Sequence, residues 1–454
     1  MNNINNIRNI YFLGIGGIGM SALARYFMHL GVQVSGYDKT PTALTKSLQQ
    51  EGATIHFDAE AYLFPLKPDM VVYTPAVPST HIALTYYNNN SIPLLKRSQI
   101  LEQITLNKNT IAVAGTHGKT TTSTLLGHIF KQANNTTDVF LGGISTNYNT
   151  NFWPANNKLN NVIVEADEYD RSFHRLTPIA AIITSMDADH LDIYGTVENL
   201  HEAFHIFIDK IKPNGLLVHK HNLPIVKRNP AITYLSYDVD NISADVFATD
   251  VKVVNGIFNF TCNFKGKQLA MQMATGGRYN IENALAATAI ALHYNLTTTQ
   301  IVAGINSFEG VKRRFEYYLK TESQIFIDDY AHHPTELNAT IMAAKELYPN
   351  KKCTVVFQPH LFSRTKDFYI DFAKSLSIAD QTILLPIYPA REVPVAGVTS
   401  QLIANEMTNN VTVKTKDEYL NWLKNNNTEL LLSTGAGDID ELNNDIKNIL
   451  ISKK

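Results

Sequence analysis

The run Ile111–Phe130, IAVAGTHGKTTTSTLLGHIF, constrains this chain more than any other stretch. Ile111–Ala114 is a short apolar run, as expected of a buried strand. The run stops at Gly115, and helical spacing begins near Lys119. Strand, glycine loop and helix make a phosphate cradle. Glycines let backbone N–H groups close on phosphate oxygens, and the helix turns its positive N-terminal end to the same point. Gly115, Thr116, His117, Gly118, Lys119, Thr120 and Thr121 are the candidate contacts. In such loops the lysine reaches the outer phosphates and the following hydroxyl ligates Mg²⁺. The pattern here is GxxGKTT, a shorter cradle than the usual P-loop, with Val113 where that loop has a further glycine. A plain strand-to-helix turn with a solvated lysine accounts for the glycines but not for the whole context.

A second glycine loop lies near the start. Asn9–Leu13 reads as a strand, Gly14, Gly16 and Gly19 give G-x-G-x-x-G with Gly17 and Ile18 inside, and Met20–Leu30 reads as a helix. Val32–Tyr37 is the next strand, and Asp38 follows where a ribose-binding acid belongs. Taken alone this points to NAD and a dehydrogenase. The motif itself says only that a diphosphate sits on a helix N-terminus. Two phosphate loops on 454 residues suit about three domains. A net charge of −2 gives no footprint for nucleic acid or an anionic membrane surface. Cys262 and Cys353 match no metal or disulfide spacing, as in a cytoplasmic protein. No apolar run is long enough to cross a bilayer, and no signal peptide is evident.

Chemistry-bearing residues recur at strand ends, where open α/β sheets bind ligands. Thr74 opens a proline-bound loop after the strand Met70–Tyr73, and Arg97 precedes a short helix. The polar stretch 107–110 marks a boundary. Asn161–Val164 ends in Glu165, an acid placed to hold Mg²⁺. Ile179–Thr184 runs into Asp187, Asp189 and His190, a metal or substrate contact. Residues 244–275 switch to period two around Asn255-Gly256, an antiparallel hairpin signal. Asn280 and Asn283 lie at a helix start, as caps or as readers of an adenine edge. Lys312, Arg313 and Arg314 form a basic joint, either solvated or clamping a phosphate. Gln324–Ile327 ends in Asp328, Asp329, Tyr330, His332 and His333, a costly cluster unless exposed or used. Cys353–Phe357 ends near His360 and Arg364, and strands at 383–386 and 430–432 complete a third α/β set.

In this order AGTHGKTTT, EADEYD, DADH, YNIENALAA, KRRFE and DDYAHHPTE resemble the Mur ligase family over nearly the whole chain. The resemblance implies an α/β fold of three domains. These are an N-terminal Rossmann-like UDP-sugar domain (1–107), a central P-loop ATPase-like domain (108–311) and a C-terminal Rossmann-like domain (312–454). The central one carries a parallel sheet and a small antiparallel appendage. The resemblance assigns the first glycine motif to UDP rather than NAD. It implies ATP-dependent, Mg²⁺-assisted joining of L-alanine to the carboxylate of UDP-N-acetylmuramate through an acyl phosphate, in peptidoglycan precursor synthesis. A relative that joins a whole tripeptide to the same sugar is the near alternative, and a dehydrogenase the distant one. No nucleic-acid or membrane partner is implied.

Residue by residue, the resemblance gives Lys119, His190 and Arg314 catalytic roles. Thr120, Glu165 and His190 become metal ligands. Asn280, Asn283, Arg313, Arg314 and Asp329 join the loop in holding ATP. Gly14, Gly16, Gly17, Ile18, Gly19, Asp38, Thr74 and Arg97 hold the UDP-sugar, and Tyr330, His333, His360 and Arg364 the amino acid. Leu361 stands where many relatives have a second arginine, which removes one carboxylate contact.

Overall fold

The computed structural model describes residues 4–155, 160–390 and 392–453. They fold into three sheets and divide into two compact units. The first unit contains residues 1–248, 262–269 and 282–305, and the second holds the remainder.

One whole sheet and the larger part of a second belong to the first unit. In one, β1 (Asn9–Leu13), β2 (Gln33–Tyr37), β3 (Thr54–His56), β4 (Met70–Tyr73) and β5 (Leu94–Lys96) take the order β3-β2-β1-β4-β5, with every pairing parallel. The order reverses at β1, so the loop after β1 opens at a topological switch point, where such sheets bind ligands. Helix α1 (Ile18–His29) follows that loop, and α2 (Ala43–Gln50) follows β2.

The other sheet is built on β6 (Asn109–Ala114), β7 (Asp138–Ser145), β8 (Thr150–Trp153), β9 (Asn161–Glu165), β10 (Ala180–Ile183), β11 (Leu216–Lys220) and β12 (Thr233–Asp238). Their order is β12-β11-β10-β6-β9-β7-β8, parallel except for the β7–β8 pair. The antiparallel stretch is β13 (Val246–Val254), β14 (Ile257–Phe264) and β15 (Lys267–Met273), and β13 continues the sheet beside β12. Between β13 and β14 the chain turns on Asn255 and Gly256 with φ of 53° and 67°, as a two-residue primed turn requires. Helices α3 (Lys119–Gln132), α4 (Val197–Asp209) and α5 (Arg278–His293) accompany this sheet. Residues 122–130 of α3 are all buried, and Gly127 is needed there, since a Cβ would lie 2.8 Å from Val139 and Trp153.

One apolar core joins the two sheets of this unit. Tyr26 of α1 lies against Phe140 of β7 and Phe152 of β8, with ring centroids 5.4 and 5.8 Å apart. Arg25, nearly buried, donates to Asn151 and Glu51, and Asn151 Nδ2 donates to the Ile18 carbonyl at 2.6 Å. The first turn of α1 is thereby fixed to β8.

The third sheet, in the second unit, orders β16 (Glu316–Lys320), β17 (Ile325–Asp329), β18 (Cys353–Phe357), β19 (Gln381–Leu384), β20 (Asn410–Val413) and β21 (Leu430–Thr434) as β16-β17-β21-β18-β19-β20. Only β16 runs antiparallel. Helices α6 (Pro334–Leu347), α7 (Phe362–Leu376) and α8 (Lys416–Asn425) connect its strands.

Sequence and structure differ at the ends and edges of elements. Helix α1 begins at Ile18 rather than Met20, and β19 ends at Leu384 rather than at residue 386. Strands β5, β7, β8, β11, β12, β16 and β20 were not foreseen from composition. Most of them lie at or near a sheet edge, where half-burial replaces a continuous apolar run.

Candidate active site

Both glycine loops end in a helix whose first residue has no side-chain cap. Helix α1 is capped by Gly17 and α3 by Gly118, neither with a capping hydrogen bond. Elsewhere Thr42, Thr196 and Thr415 cap α2, α4 and α8 with side-chain oxygens. Helix α7, which starts after Leu361, also lacks a side-chain cap, so open amides mark the two loops only together with their glycines.

At the first loop, Gly14 has φ +83°, and a Cβ there would meet Thr74 Cγ2 at 2.7 Å. Gly16 N donates to Asp38 Oδ2 at 2.8 Å. A Cβ on Gly19 would lie 2.9 Å from Arg97 Nη1. The structure therefore brings Gly14, Gly16, Gly17, Ile18, Gly19, Asp38, Thr74 and Arg97 together. A cavity of about 300 Å³ opens here. Gly17, Gly19 and Arg97 line it together with Gly142 and Glu165 of the second sheet and Asp167, just after β9. Arg97 Nη2 lies 3.4 Å from Asp167 Oδ2 across it.

The second loop is held by the segment after β10. Thr184 Oγ1 donates to the His117 carbonyl, His117 N donates to Ser185 Oγ at 2.8 Å, and Asp187 N donates to Thr116 Oγ1 at 3.1 Å. Gly115, at φ +132°, has Thr184 Oγ1 2.1 Å from where a Cβ would stand. His117 is exposed, 3.9 Å from Asp187, and Thr121 lies in the first turn of α3. Lys119 Nζ donates to the Gly115 carbonyl and to Glu168 Oε1, both at 2.7 Å. Thr120 Oγ1 donates to Glu165 Oε1 at 3.1 Å, and Gly142 N donates to Glu165 Oε2 at 3.0 Å. Asn283 Oδ1 accepts from Thr122 at 2.9 Å, which places this amide at the start of α3.

His190 has φ +54°, a left-handed conformation uncommon for a residue with a side chain. Its Nε2 is 3.6 Å from Glu168 Oε1. Burial pushes Glu168 upward, but the His190 interaction and the Lys119 charge outweigh it and hold the carboxyl below its ordinary range. The same pairing raises His190 against its own desolvation.

Thr120 and Glu165 supply a hydroxyl and a carboxylate oxygen close together. That set fits Mg²⁺, which takes one or two carboxylates, keeps waters and completes its shell with substrate phosphates. Among the described residues no three His, Cys, Asp or Glu side chains form a self-sufficient metal site.

In the second unit, Asp329 accepts from Phe315 N at 2.7 Å and Ala331 N at 2.8 Å, and burial pushes its carboxyl up to about 6. Arg313 lies 3.5 Å from Asp328 and 3.2 Å from Asp440, donates to the Gly435 carbonyl at 2.6 Å, and covers the Tyr330 ring at 5.0 Å. Arg314 is exposed. Asn280 Nδ2 donates to the Gly276 carbonyl at 2.5 Å. His360 stacks on Tyr388 with centroids 5.8 Å apart, and its ring centroid is 6.2 Å from that of His332. His333 instead packs on Phe368 of α7, centroids 5.1 Å apart. Arg364 Nη1 and His360 Nδ1 are buried and have no protein hydrogen-bond partner among the described residues. Leu361, just before α7, has φ +72°.

Profiles of known families match the chain in three blocks. These are described as Mur ligase family, catalytic domain (9–109), Mur ligase middle domain (113–291) and Mur ligase, glutamate ligase domain (313–437). The UDP-N-acetylmuramate–L-alanine ligase of Porphyromonas gingivalis is 47% identical over 453 residues, 98% of this chain and 99% of that protein. The chain belongs to the Mur ligase family. The ligase of the same description from Parabacteroides distasonis is 44% identical over 98% of each chain. The crystal structure of UDP-N-acetylmuramate-alanine ligase from Thermotoga maritima superposes with a TM-score of 0.83 at 26% identity, covering 98% of this chain and all of that one.

Two residues given no site role from the sequence stand among those that were. Glu168 stood only within the EADEYD run, yet it is the buried partner of Lys119 and His190. His332, not His333, is the ring beside His360. Pro334 at the first position of α6 marks His333 as the cap of that helix, a signal available in the sequence.

Proposed function

We infer that this chain joins L-alanine to the carboxylate of UDP-N-acetylmuramate at the expense of ATP, a step in peptidoglycan precursor synthesis. One observation carries the reading: a single cavity runs from the first glycine loop to Glu165, the acid hydrogen-bonded to Thr120 of the phosphate loop. A sugar nucleotide seated on Gly17–Gly19 and Arg97 thus has its far end beside the ATP phosphates.

The sugar carboxylate attacks the γ-phosphorus, and the acyl phosphate and ADP result. The alanine amine then adds to the acyl carbon, and phosphate leaves from the tetrahedral intermediate. The first step brings two anions together. Lys119, its ammonium held between the Gly115 carbonyl and Glu168, offsets that repulsion, and the amides of α3 receive phosphate oxygens. Mg²⁺, held by Thr120 and Glu165 with His190 nearby, supplies further charge neutralisation when bound. Asn283 and Asn280 are assigned to adenine, Asp329 to the ATP ribose, and Arg313 and Arg314 to phosphate. The orphaned polar atoms of Arg364 and His360 support an anionic ligand there, and the alanine carboxylate supplies one. Tyr330 keeps its assignment there, and His332, the ring beside His360, takes the place expected of His333. In this reading residues 1–107 serve the UDP-sugar, 108–311 ATP and 312–454 the amino acid. No helix among the described residues is long and apolar enough to cross a membrane, and a cytoplasmic location is proposed from the ATP and UDP-sugar it consumes.

The test is phosphate release with ATP, Mg²⁺ and UDP-N-acetylmuramate, against a panel of amino acids and peptides. Alanine should support turnover. Turnover with a tripeptide but not alanine would make it the recycling ligase. NADH binding without ATP binding would revive the dehydrogenase.

A further inference from the structure

We propose that Glu168 is a positioning residue for phosphoryl transfer, setting Lys119 and His190 from a single carboxylate oxygen. This rests on the ligase reading above. Glu168 is fully buried, and Oε1 is 2.7 Å from Lys119 Nζ and 3.6 Å from His190 Nε2. The residue is also anchored through its backbone. Its carbonyl accepts from Tyr194 Oη and from Arg171 N, the latter at 2.9 Å. Tyr194 ends the short helix Leu191–Tyr194 that His190 begins. One residue therefore grips both ends of the segment carrying His190, while its side chain reaches across to the phosphate loop.

A purely structural ion pair is a poor explanation for this arrangement. A buried pair costs desolvation that its attraction only roughly repays, and apolar residues of the same volume serve stability as well or better. Glu168 also leaves Oε2 buried with no hydrogen-bond partner among the described residues, a further cost. What the carboxylate provides is orientation. Lys119 is directed back across the loop, between Glu168 and the Gly115 carbonyl. His190 faces the Glu168 carboxylate with Nε2, which is also 3.6 Å from Asp189 Oδ2. A carboxylate behind an imidazole is the usual device for fixing its tautomer and direction. Because Glu168 is also an anion beside the phosphate site, it opposes ATP binding while it favours the reacting geometry.

Two opposed effects give the test. In Glu168→Gln, kcat should fall about 10–100-fold, as for other outer-sphere partners. Equilibrium ATP affinity, measured calorimetrically without Mg²⁺, should be equal or tighter because a negative charge is gone. In Glu168→Asp the charge stays but the reach shortens, so kcat should fall and ATP affinity should not rise. A kcat within twofold of the unchanged chain in either variant overturns the proposal. So does weaker ATP binding by a folded Glu168→Gln, since that is the mark of a damaged loop. Lys119→Ala is run in parallel. If it is inactive while Glu168→Gln is not, only the positioning role fails. If Lys119→Ala turns over normally, the ligase reading fails with it.

Discussion

The two glycine loops of the first unit share a backbone device and differ in everything attached to it. Each follows a buried parallel strand, each starts a helix on a glycine without a side-chain cap, and each sits at a strand end. Around the first, Asp38 holds the Gly16 amide and Arg97 lies against Gly19. Around the second stand a lysine, a hydroxyl and two acids: Lys119, Thr120, Glu165 and Glu168. A loop that only holds a diphosphate needs amides and one cation. A loop that transfers a phosphoryl group also needs charge that can meet the transition state and oxygens that can carry a cation. The backbone therefore says phosphate, and the side chains say whether the phosphate moves.

The sharpest way to break this comparison is Lys119→Ala. It should lower kcat by about 10²–10³-fold or more, the loss expected for a group that stabilises developing charge. UDP-sugar affinity should change little, because the lysine belongs to the other loop. Retention of a tenth of the wild-type rate would remove Lys119 from the transfer step. Next in size is Gly142→Ala. A Cβ at that position would lie 2.4 Å from Glu165 Oε2, so the acid must shift. The Mg²⁺ concentration for half-maximal rate should rise about tenfold. An unchanged Mg²⁺ titration would place the cation away from Glu165.

Much of this contrast is legible in the sequence, because strand, glycine and helix lie within about twenty residues in each loop. The buried strands β1, β6, β9, β17 and β18 are nearly continuous apolar runs, and such runs announce themselves. Strand β16, EYYLK, is half-buried along its length and carries no such signal. In the EADE run, Glu165 and Glu168 look alike as letters. Only the turn after β9 decides that Glu165 meets Thr120 while Glu168 meets Lys119 and His190. Likewise nothing in DDYAHHP separates the two histidines by composition, and the packing of α7 decides it.

On the first loop the effects should be smaller and fall on a different substrate. Asp38→Ala frees the Gly16 amide from its hydrogen bond to a carboxylate, a contact of about 1.5 kcal/mol or more. KM for the UDP-sugar should rise about tenfold by that measure, with KM for ATP unchanged. Gly16→Ala tests the same loop sterically, since its Cβ would stand 2.8 Å from Thr45 Cγ2 and 2.9 Å from Asp38 Oδ2. It should mimic Asp38→Ala on the sugar and spare ATP. An effect of either variant on ATP would mean that the two loops are not separate seats.

The smallest expected effect is a pH signature of the transfer loop. Glu168 has its carboxyl lowered in the folded chain, by His190 and Lys119 working against burial. Its stabilisation is complete above the unfolded glutamate value of about 4.3 and is lost as pH falls through the lower folded value. His190 is raised, chiefly by Glu168. Its share is complete below the unfolded histidine value of about 6.5 and is lost as pH rises through the higher folded value. Both contributions are present together between about pH 4.3 and about pH 6.5. The Tm difference between the unchanged chain and Glu168→Gln should therefore be largest in that window and shrink on either side. His190 is partly exposed, so solvent screening keeps its share small. A difference that instead grew steadily toward high pH would mean that Glu168 and His190 do not interact, and the two loops would then differ by one lysine rather than by a coupled charge cluster.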